Sequence, residues 1–587
     1  MFKTLSIIVA SCTLTYCATQ MDYKKFSASF KSADTIPYID SHISKIDIET
    51  IEEQPKPERE SADIKSVQAG DYLSSRYAQR MHDWKNANLF IDRLYSNTEV
   101  TDDIQQRAMV LAMGAGDAKK ALKFAKETEG QDNQSTIATL FLIIDAVKND
   151  DYARANTLYE ALQYDGTVKF IGPFLKGWID AGLGQSNIKS LNENTIQLYH
   201  SILISDYLKD HIEVEKMIDY ALNVEDITLN EKLRIADLYG HIGASDKAIA
   251  IYKEGLKTQP DLKILEEKIS AIEKGEAEPL FDTITNASHG MAKAFHDISS
   301  ILYTESNDDS ARVFAHAALY LNPNLIETKF LIAEINVRHK QYNTALEYYK
   351  SIPKENEHYL QAQYEIVDIY DETNRLNEAF KLLDSLSNNQ TDVDTLMKIG
   401  DLYRHQEKYK DALKAYQKAY DVLGDTVPDE YWHLHYVLGI AYEQTDNWPK
   451  AEKHLKASLA MRPDQPFVLN YLGYAWADQN IHLEEAQEMI QRAVNLKPND
   501  GYITDSLGWI MYRTGDLVNA TRVMERAVQL LPYDPTVNDH LGDVYWQVGR
   551  HREARFQWKR AINHSKDPEQ IKAIEEKLAN GLEPLSP

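Results

Sequence analysis

Twelve alanines recur along the chain, at Ala87, Ala121, Ala155, Ala248, Ala311, Ala345, Ala379, Ala412, Ala451, Ala486, Ala520 and Ala554, mostly 33 to 35 residues apart. A fixed period of this size means one supersecondary unit copied many times, each burying its apolar face only against its neighbours. Such a chain folds as a solenoid and offers an extended surface to other chains.

Other residues keep the same phase. Gly400, Gly439, Gly508 and Gly542 stand twelve residues before an alanine, and Gly473 stands thirteen before Ala486. A large side chain follows four residues after the alanine, as at Tyr159, Tyr252, Tyr349, Tyr416, Ile490, Met524 and Trp558. Prolines recur twelve residues on, at Pro260, Pro323, Pro463, Pro498 and Pro532. The pattern predicts a helical hairpin: small residues where two antiparallel helices approach, large ones filling the wedge, and proline at the turn into the next copy.

Leu438-Gly439, Leu472-Gly473, Leu507-Gly508 and Leu541-Gly542, each in phase with an alanine and most with a closing proline, resemble the tetratricopeptide repeat. The resemblance implies an all-α superhelix (α-solenoid), and the length from about residue 66 to 566 leaves room for about 12 to 14 hairpins. The alanine mark lapses between Ala155 and Ala248 and between Ala248 and Ala311. Val214 fills the alanine slot 34 residues before Ala248, and Gly172 to Ala181 reads as a packed helix. Residues 67–275 are therefore expected as degenerate repeats, and 289–566 as regular ones. An interruption at 276–288, next to Gly275 and containing Pro279, reads as a hinge or an irregular connection. Asp567-Pro568, the apolar stripe Ile571, Ile574 and Leu578, and Asn580-Gly581 predict a capping helix over 567–581.

Both cysteines lie in the first seventeen residues. Met1-Phe2-Lys3 followed by an apolar run to Ser11 reads as an export signal over 1–17. Two lipidation sites are open. Val9-Ala10-Ser11-Cys12 fits the lipobox pattern but has a short leader, whereas Cys17 has a normal leader but the bulky Tyr16 before it. A plain secretory signal or a cytoplasmic apolar start is the alternative. The polar stretch 18–66, with Pro37, Pro55 and Pro57, reads as a disordered tether, roughly 160 Å long if extended.

Lysine and arginine number 64 against 90 acidic residues, a formal charge of −26. With no basic stripe, such a chain repels phosphate backbones, so nucleic acid is not expected as a partner. No apolar run approaches the ~20 residues that span a bilayer, which leaves a lipid anchor as the sole membrane contact. The chain carries no phosphate loop, His-Glu-x-x-His or Gly-x-Ser-x-Gly; His433 and His435, two apart, point to different sides of a helix. Neither catalysis nor a cofactor or metal is expected.

Asn470 to Gln479, Asp505 to Trp509, Asn538 to Trp546 and Glu553 to Trp558 are similar to the C-terminal half of a family of proteobacterial tetratricopeptide lipoproteins. One branch serves as the outer-membrane adaptor of a periplasmic carboxyl-terminal processing protease and presents cell-wall hydrolases to it. The resemblance implies a non-enzymatic, lipid-anchored scaffold on the periplasmic face of the envelope, whose partners are proteins or peptides, that protease and its substrates among them. An assembly lipoprotein of the pilotin kind and a cytoplasmic scaffold are the alternatives. In a tetratricopeptide hairpin the first helix lines the concave groove. Counted from the Leu-Gly glycine, the groove positions are Asn470 and Tyr474, then Tyr502, Asp505, Trp509 and Tyr512, then Asp539, Asp543 and Trp546. They predict an aromatic and acidic groove, with the carboxylates set to meet Lys or Arg and the aromatic rings to act as anchors. The alternative for the same side chains is packing between hairpins.

Overall fold

The computed structural model describes residues 59–583 apart from short stretches at 98–100, 131–133, 163–165, 189–190, 192–193, 223–228, 259–262, 276–283, 357, 387–391 and 425–426. Every regular element among the described residues is helical. The fold is an all-α tetratricopeptide repeat superhelix. Cys12, Cys17 and residues 18–58 lie outside the described residues.

All twelve marker alanines have no exposed surface, and neither does Val214 in the slot it was expected to fill. The phased glycines face the large residues of the second helix. A Cβ on Gly542 would lie 2.4 Å from the Trp558 ring, one on Gly508 2.7 Å from Met524, and one on Gly400 2.3 Å from Tyr416. No side chain fits at these positions, so each of these hairpins pairs a glycine with one bulky partner, and the alanine beside them lets the backbones close.

The turn inside each hairpin has its own mark. Residues 82, 116, 150, 209, 243, 306, 340, 407, 446, 480, 515 and 549 all have φ between 55° and 83°. Glycine holds this left-handed position at 116, 243, 515 and 549, and other residues hold it elsewhere. The next amide reaches back to a carbonyl in the last turn of the first helix, as Asp117 N to Ala112 O (2.8 Å) and Arg550 N to Tyr545 O (2.8 Å), the Schellman closure. Asp117, Asp151, Asp210 and Asp516 then cap the second helix, each accepting from the amide three residues on. First helices in the C-terminal repeats start alike, on Asp500, Asp534 and Asp567, the last two followed by proline.

The described chain divides into two compact units between Thr373 and Asn374. In the first, a single core runs from Ala78 to Ile335. Helix Ala287–Thr304 is buried along most of its length. Its Gly290 sits under Trp178 so tightly that a Cβ would lie 2.2 Å from the ring. The unit therefore continues past 276–288, and most of that expected interruption lies outside the described residues. Helix Asp308–Leu321 and its neighbours pack against the start of the same unit. Tyr320 donates to Asp145 (2.8 Å), Lys148 to the Leu321 carbonyl (2.8 Å), and Lys85 pairs with Glu347 (2.9 Å). Under Ala287–Thr304 lies a buried polar chain. Trp178 Nε1 donates to His200 Nδ1 (3.1 Å), which leaves the His200 Nε2 proton for Asp297 (3.2 Å). Burial works against the Asp297 carboxylate, but Lys293, His200 and Arg234 outweigh it and hold its pKa far below the usual range.

The helix Arg59–Arg80 begins inside the stretch expected as tether. No proline or glycine lies between Pro57 and Gly70, so nothing stops the helix of the first hairpin from extending toward its amino end.

The second unit stacks the hairpins Val393–His405 with Tyr409–Leu423, Trp432–Glu443 with Trp448–Met461, Pro466–Asp478 with Leu483–Leu496, Gly501–Arg513 with Leu517–Leu530, and Pro535–Gln547 with His551–His564. Helix Pro568–Asn580 closes the stack, its outward positions Glu569, Lys572, Glu575 and Glu576 exposed. A polar back is what the end of a solenoid requires.

Candidate functional site

The interior of the first unit is filled by its own helices Ala287–Thr304 and Asp308–Leu321. The candidate site is therefore sought on the first helices of the second unit's hairpins, Pro466–Asp478, Gly501–Arg513 and Pro535–Gln547.

The residues of the last of these are engaged within the chain. Asp539 and Asp543 were expected to meet a partner's Lys or Arg, yet both bind Lys577 of the closing helix, at 2.8 Å from Nζ to the nearest carboxylate oxygen of each. Asp543 also accepts from Trp558 Nε1 at 2.9 Å. Burial and the neighbouring Asp539 push the Asp543 carboxyl up to about 6 against the pull of Lys577. Burial disfavours the Lys577 ammonium, but the two carboxylates more than offset it and raise its pKa. Trp546 is covered as well. Its Nε1 donates to the Leu582 carbonyl (3.0 Å), its ring stacks on His551 at 4.2 Å, and Gly581 lies so close that a Cβ there would be 2.1 Å from the indole. The closing helix follows the first-helix pattern of Asp N-cap and proline, so it docks as one more first helix and satisfies the final repeat.

One repeat earlier, Asp505 is buried and its Oδ2 lies 2.8 Å from His540 Nδ1. Burial opposes charge on His540, and Asp505, Asp539 and Asp543 together overcome it, so the His540 pKa is raised. Trp509, half-buried, stacks on His540 (4.1 Å, 20°) and on Tyr512 (5.0 Å, 25°). Tyr512 is buried, its phenol pushed up to about 12 by burial and then by Asp543. Tyr502 donates to Asp534 at 3.3 Å.

Asn470, like Asp505 at Oδ1 and Trp509 at Nε1, keeps a buried polar atom without a partner among the described residues. It is 2% exposed, and the atom is its Oδ1. A buried carbonyl oxygen left without a donor costs about 1–3 kcal/mol, which a ligand able to donate to it recovers. Tyr474, one turn on, is half-buried; burial, then Asp478 and Asp505, raise its phenol pKa. Arg513 of the next hairpin stands 3.9 Å from Asp478.

Of the nine expected groove residues, Asn470, Tyr474, Tyr502 and Trp509 thus remain as a set that a partner could meet with small adjustments. Asp505, Tyr512, Asp539, Asp543 and Trp546 are held by packing and internal pairs. Sequence reading missed Lys577 and His540, the residues that hold the acidic side chains. The signal for Lys577 was the Asp-Pro start shared by first helices and closing helix, which puts the two in one register. Among the described residues no group of His, Cys, Asp and Glu is placed to hold a metal ion, and no helix is long and apolar enough to cross a membrane.

Tetratricopeptide repeat profiles match residues 391–464 and 436–501. The chain is 29% identical over 195 residues to the TPR repeat-containing protein PA4667 of Pseudomonas aeruginosa, a match covering 33% of this chain and 32% of that protein. The chain thus spans about a third of its relative's length. Among solved structures it is similar to the Cut9–Hcn1 hetero-tetramer of APC/C (15% identity, 89% of this chain and 98% of that one, TM-score 0.38). It is likewise similar to a tetratricopeptide repeat protein from Parabacteroides merdae (17% identity, 43% of this chain and 99% of that one, TM-score 0.34). The profiles thus identify tetratricopeptide repeats over residues 391–501, and repeats of this kind suggest a protein-interaction scaffold.

Proposed function

We propose that the protein is a non-enzymatic adaptor of the bacterial envelope that holds a partner protein on the first-helix face of residues 466–513. The observation that carries this reading is the buried, unpartnered Oδ1 of Asn470, one turn before the half-buried Tyr474 and one repeat before Trp509, whose Nε1 is likewise buried without a partner among the described residues. The unpartnered amide oxygen can accept from a peptide N–H, and Trp and Tyr supply rigid anchoring area beside it. An adaptor needs no catalytic group; it raises the effective concentration of one partner at another.

The envelope location rests on the leader and on Cys12 or Cys17, and the protease-adaptor role rests on the resemblance of residues 395–566. An acyl chain on either cysteine would anchor the scaffold on the periplasmic face, at the outer membrane. The test has two parts. Metabolic fatty-acid labelling is expected to mark the wild type and not the Cys12→Ser/Cys17→Ser double variant. Pull-down from solubilised membranes is expected to recover a processing protease with the wild type and to lose it with Asn470→Ala/Trp509→Ala. An unlabelled protein in the soluble fraction contradicts the anchor, and equal recovery by the folded double variant contradicts the groove.

A further inference from the structure

The first helix of the first unit and the last helix of the second are finished differently. At the carboxyl end the outward face of helix Pro568–Asn580 is polar. At the amino end, helix Arg59–Arg80 buries Ser75 and Ala78 against the second helix of its hairpin, where Ser75 Oγ donates to the Ala87 carbonyl at 2.9 Å. Its other side carries Leu73 and Tyr77, with Met81 following in the turn, at 65%, 67% and 52% exposure. The spacing of four places them in one line along the helix. Scattered exposed apolar residues need no explanation, but three large ones in line on the terminal helix of a stack mark a face made to be covered.

We propose that this stripe is the docking site of the chain's own segment 38–51, which would serve as the amino-terminal cap of the solenoid. Three observations point to this occupant. The segment lies directly upstream of the stripe, between Pro37 and Pro55, and in it Ile39, Ile43 and Ile46 recur four and three residues apart. That is the spacing by which one side of a helical segment is made apolar, and it matches the spacing of the stripe. The connection is also long enough. From Arg59 to Leu73 the helix rises roughly 20 Å, and the thirteen residues from Ile46 to Arg59 reach roughly 43 Å when extended. Finally, the first helix of a stack offers the surface on which a preceding element would pack, and residues upstream of Arg59 are the part of the chain that can reach it. The proposal does not depend on the adaptor reading. It leaves residues 18–37 as the span to an anchor.

The test is hydrogen exchange by mass spectrometry on the full chain, compared with Leu73→Asp/Tyr77→Asp. Both residues are exposed, so the variant keeps the fold, which its circular dichroism and melting temperature verify. In the wild type, amides of 38–51 are expected to exchange at least tenfold more slowly than their random-coil rates, and the double variant is expected to abolish the slowing. Random-coil exchange in the wild type overturns the proposal, as does slowing that survives in the variant. Sedimentation gives a further check: a dimer that the double variant dissociates would mean that a second copy covers the stripe, and would overturn it too.

Discussion

Asp505 Oδ2 and His540 Nδ1 lie 2.8 Å apart between successive first helices, with the Trp509 ring stacked on the same imidazole at 4.1 Å. The carboxylate can only accept, so His540 Nδ1 carries the proton. Asp539 and Asp543 favour the charged ring further.

This arrangement sets a pH dependence. The raised pKa of His540 means that the folded state binds its proton more tightly than the unfolded chain. Its contribution is fully present below the ordinary histidine value of 6.5 and is lost as pH rises through the higher folded value. Asp543 works in the same direction: its folded pKa of about 6 against an ordinary 3.8 means that stability falls as pH climbs through that interval. Exchange protection in helices Gly501–Arg513 and Pro535–Gln547, corrected for intrinsic rates, is expected to be greater at pH 5 than at pH 8. Asp543→Asn should flatten the part between pH 4 and 6. Protection that rises with pH would contradict the assignment.

Removing Lys577 should cost far more than an exposed ion pair. Lys577→Met leaves Asp539 and Asp543 side by side and mostly buried, with an expected loss of about 3 kcal/mol in denaturant unfolding. Adding Asp539→Asn and Asp543→Asn should recover much of it, because the uncompensated charges are then gone. A loss below about 1 kcal/mol would show that the closing helix is not held by this ammonium.

Gly542→Ala places a Cβ 2.4 Å from the Trp558 ring, and an overpacked contact of this kind costs about 1–3 kcal/mol. Gly508 meets Met524 in the same place one repeat earlier. Trp558→Met in the Gly542→Ala background is therefore expected to restore part of the loss in a double-mutant cycle, and strict additivity would refute the pairing.

The left-handed turn positions respond with opposite sign to substitution. Gly549→Ala forces a Cβ into φ 80° and should destabilise by about 1 kcal/mol, whereas Glu407→Gly relieves a side chain held at φ 58°. The melting temperature is expected to fall in the first variant and to hold or rise in the second. A fall in both would mean that Glu407 contributes more by its side chain than it loses in backbone strain.

The periodic marks were legible because each rests on a local steric need. An alanine with no exposed surface and a glycine facing Trp558 leave fixed imprints every 34 residues or so, and so does the Asp-Pro start at Asp534 and Asp567. The turn signal was readable only where glycine held it, since Glu407, Lys340 and Asp446 adopt the same φ without announcing it. Groove polarity was the least legible feature. Asp505 and Asp539 look alike in sequence, but Asp505 meets His540 on the next first helix and Asp539 meets Lys577 on the closing helix, and residue type alone does not say whether a carboxylate faces a partner or the chain itself. The unit division at Thr373 left no mark either, because the hairpin period runs through it.

Partners are proposed to sit on the first-helix face around Asn470, Tyr474 and Trp509. A photo-crosslinking amino acid at position 474, compared in living cells with the same residue at position 556, tests this most directly. Phe556 is exposed on a second helix and Tyr474 is half-buried, so the melting temperature of each probe-bearing protein verifies its fold. Discrete protein adducts from position 474, absent from position 556 and diminished by Asn470→Ala, are the expected result; adducts from 556 with none from 474 would contradict the account.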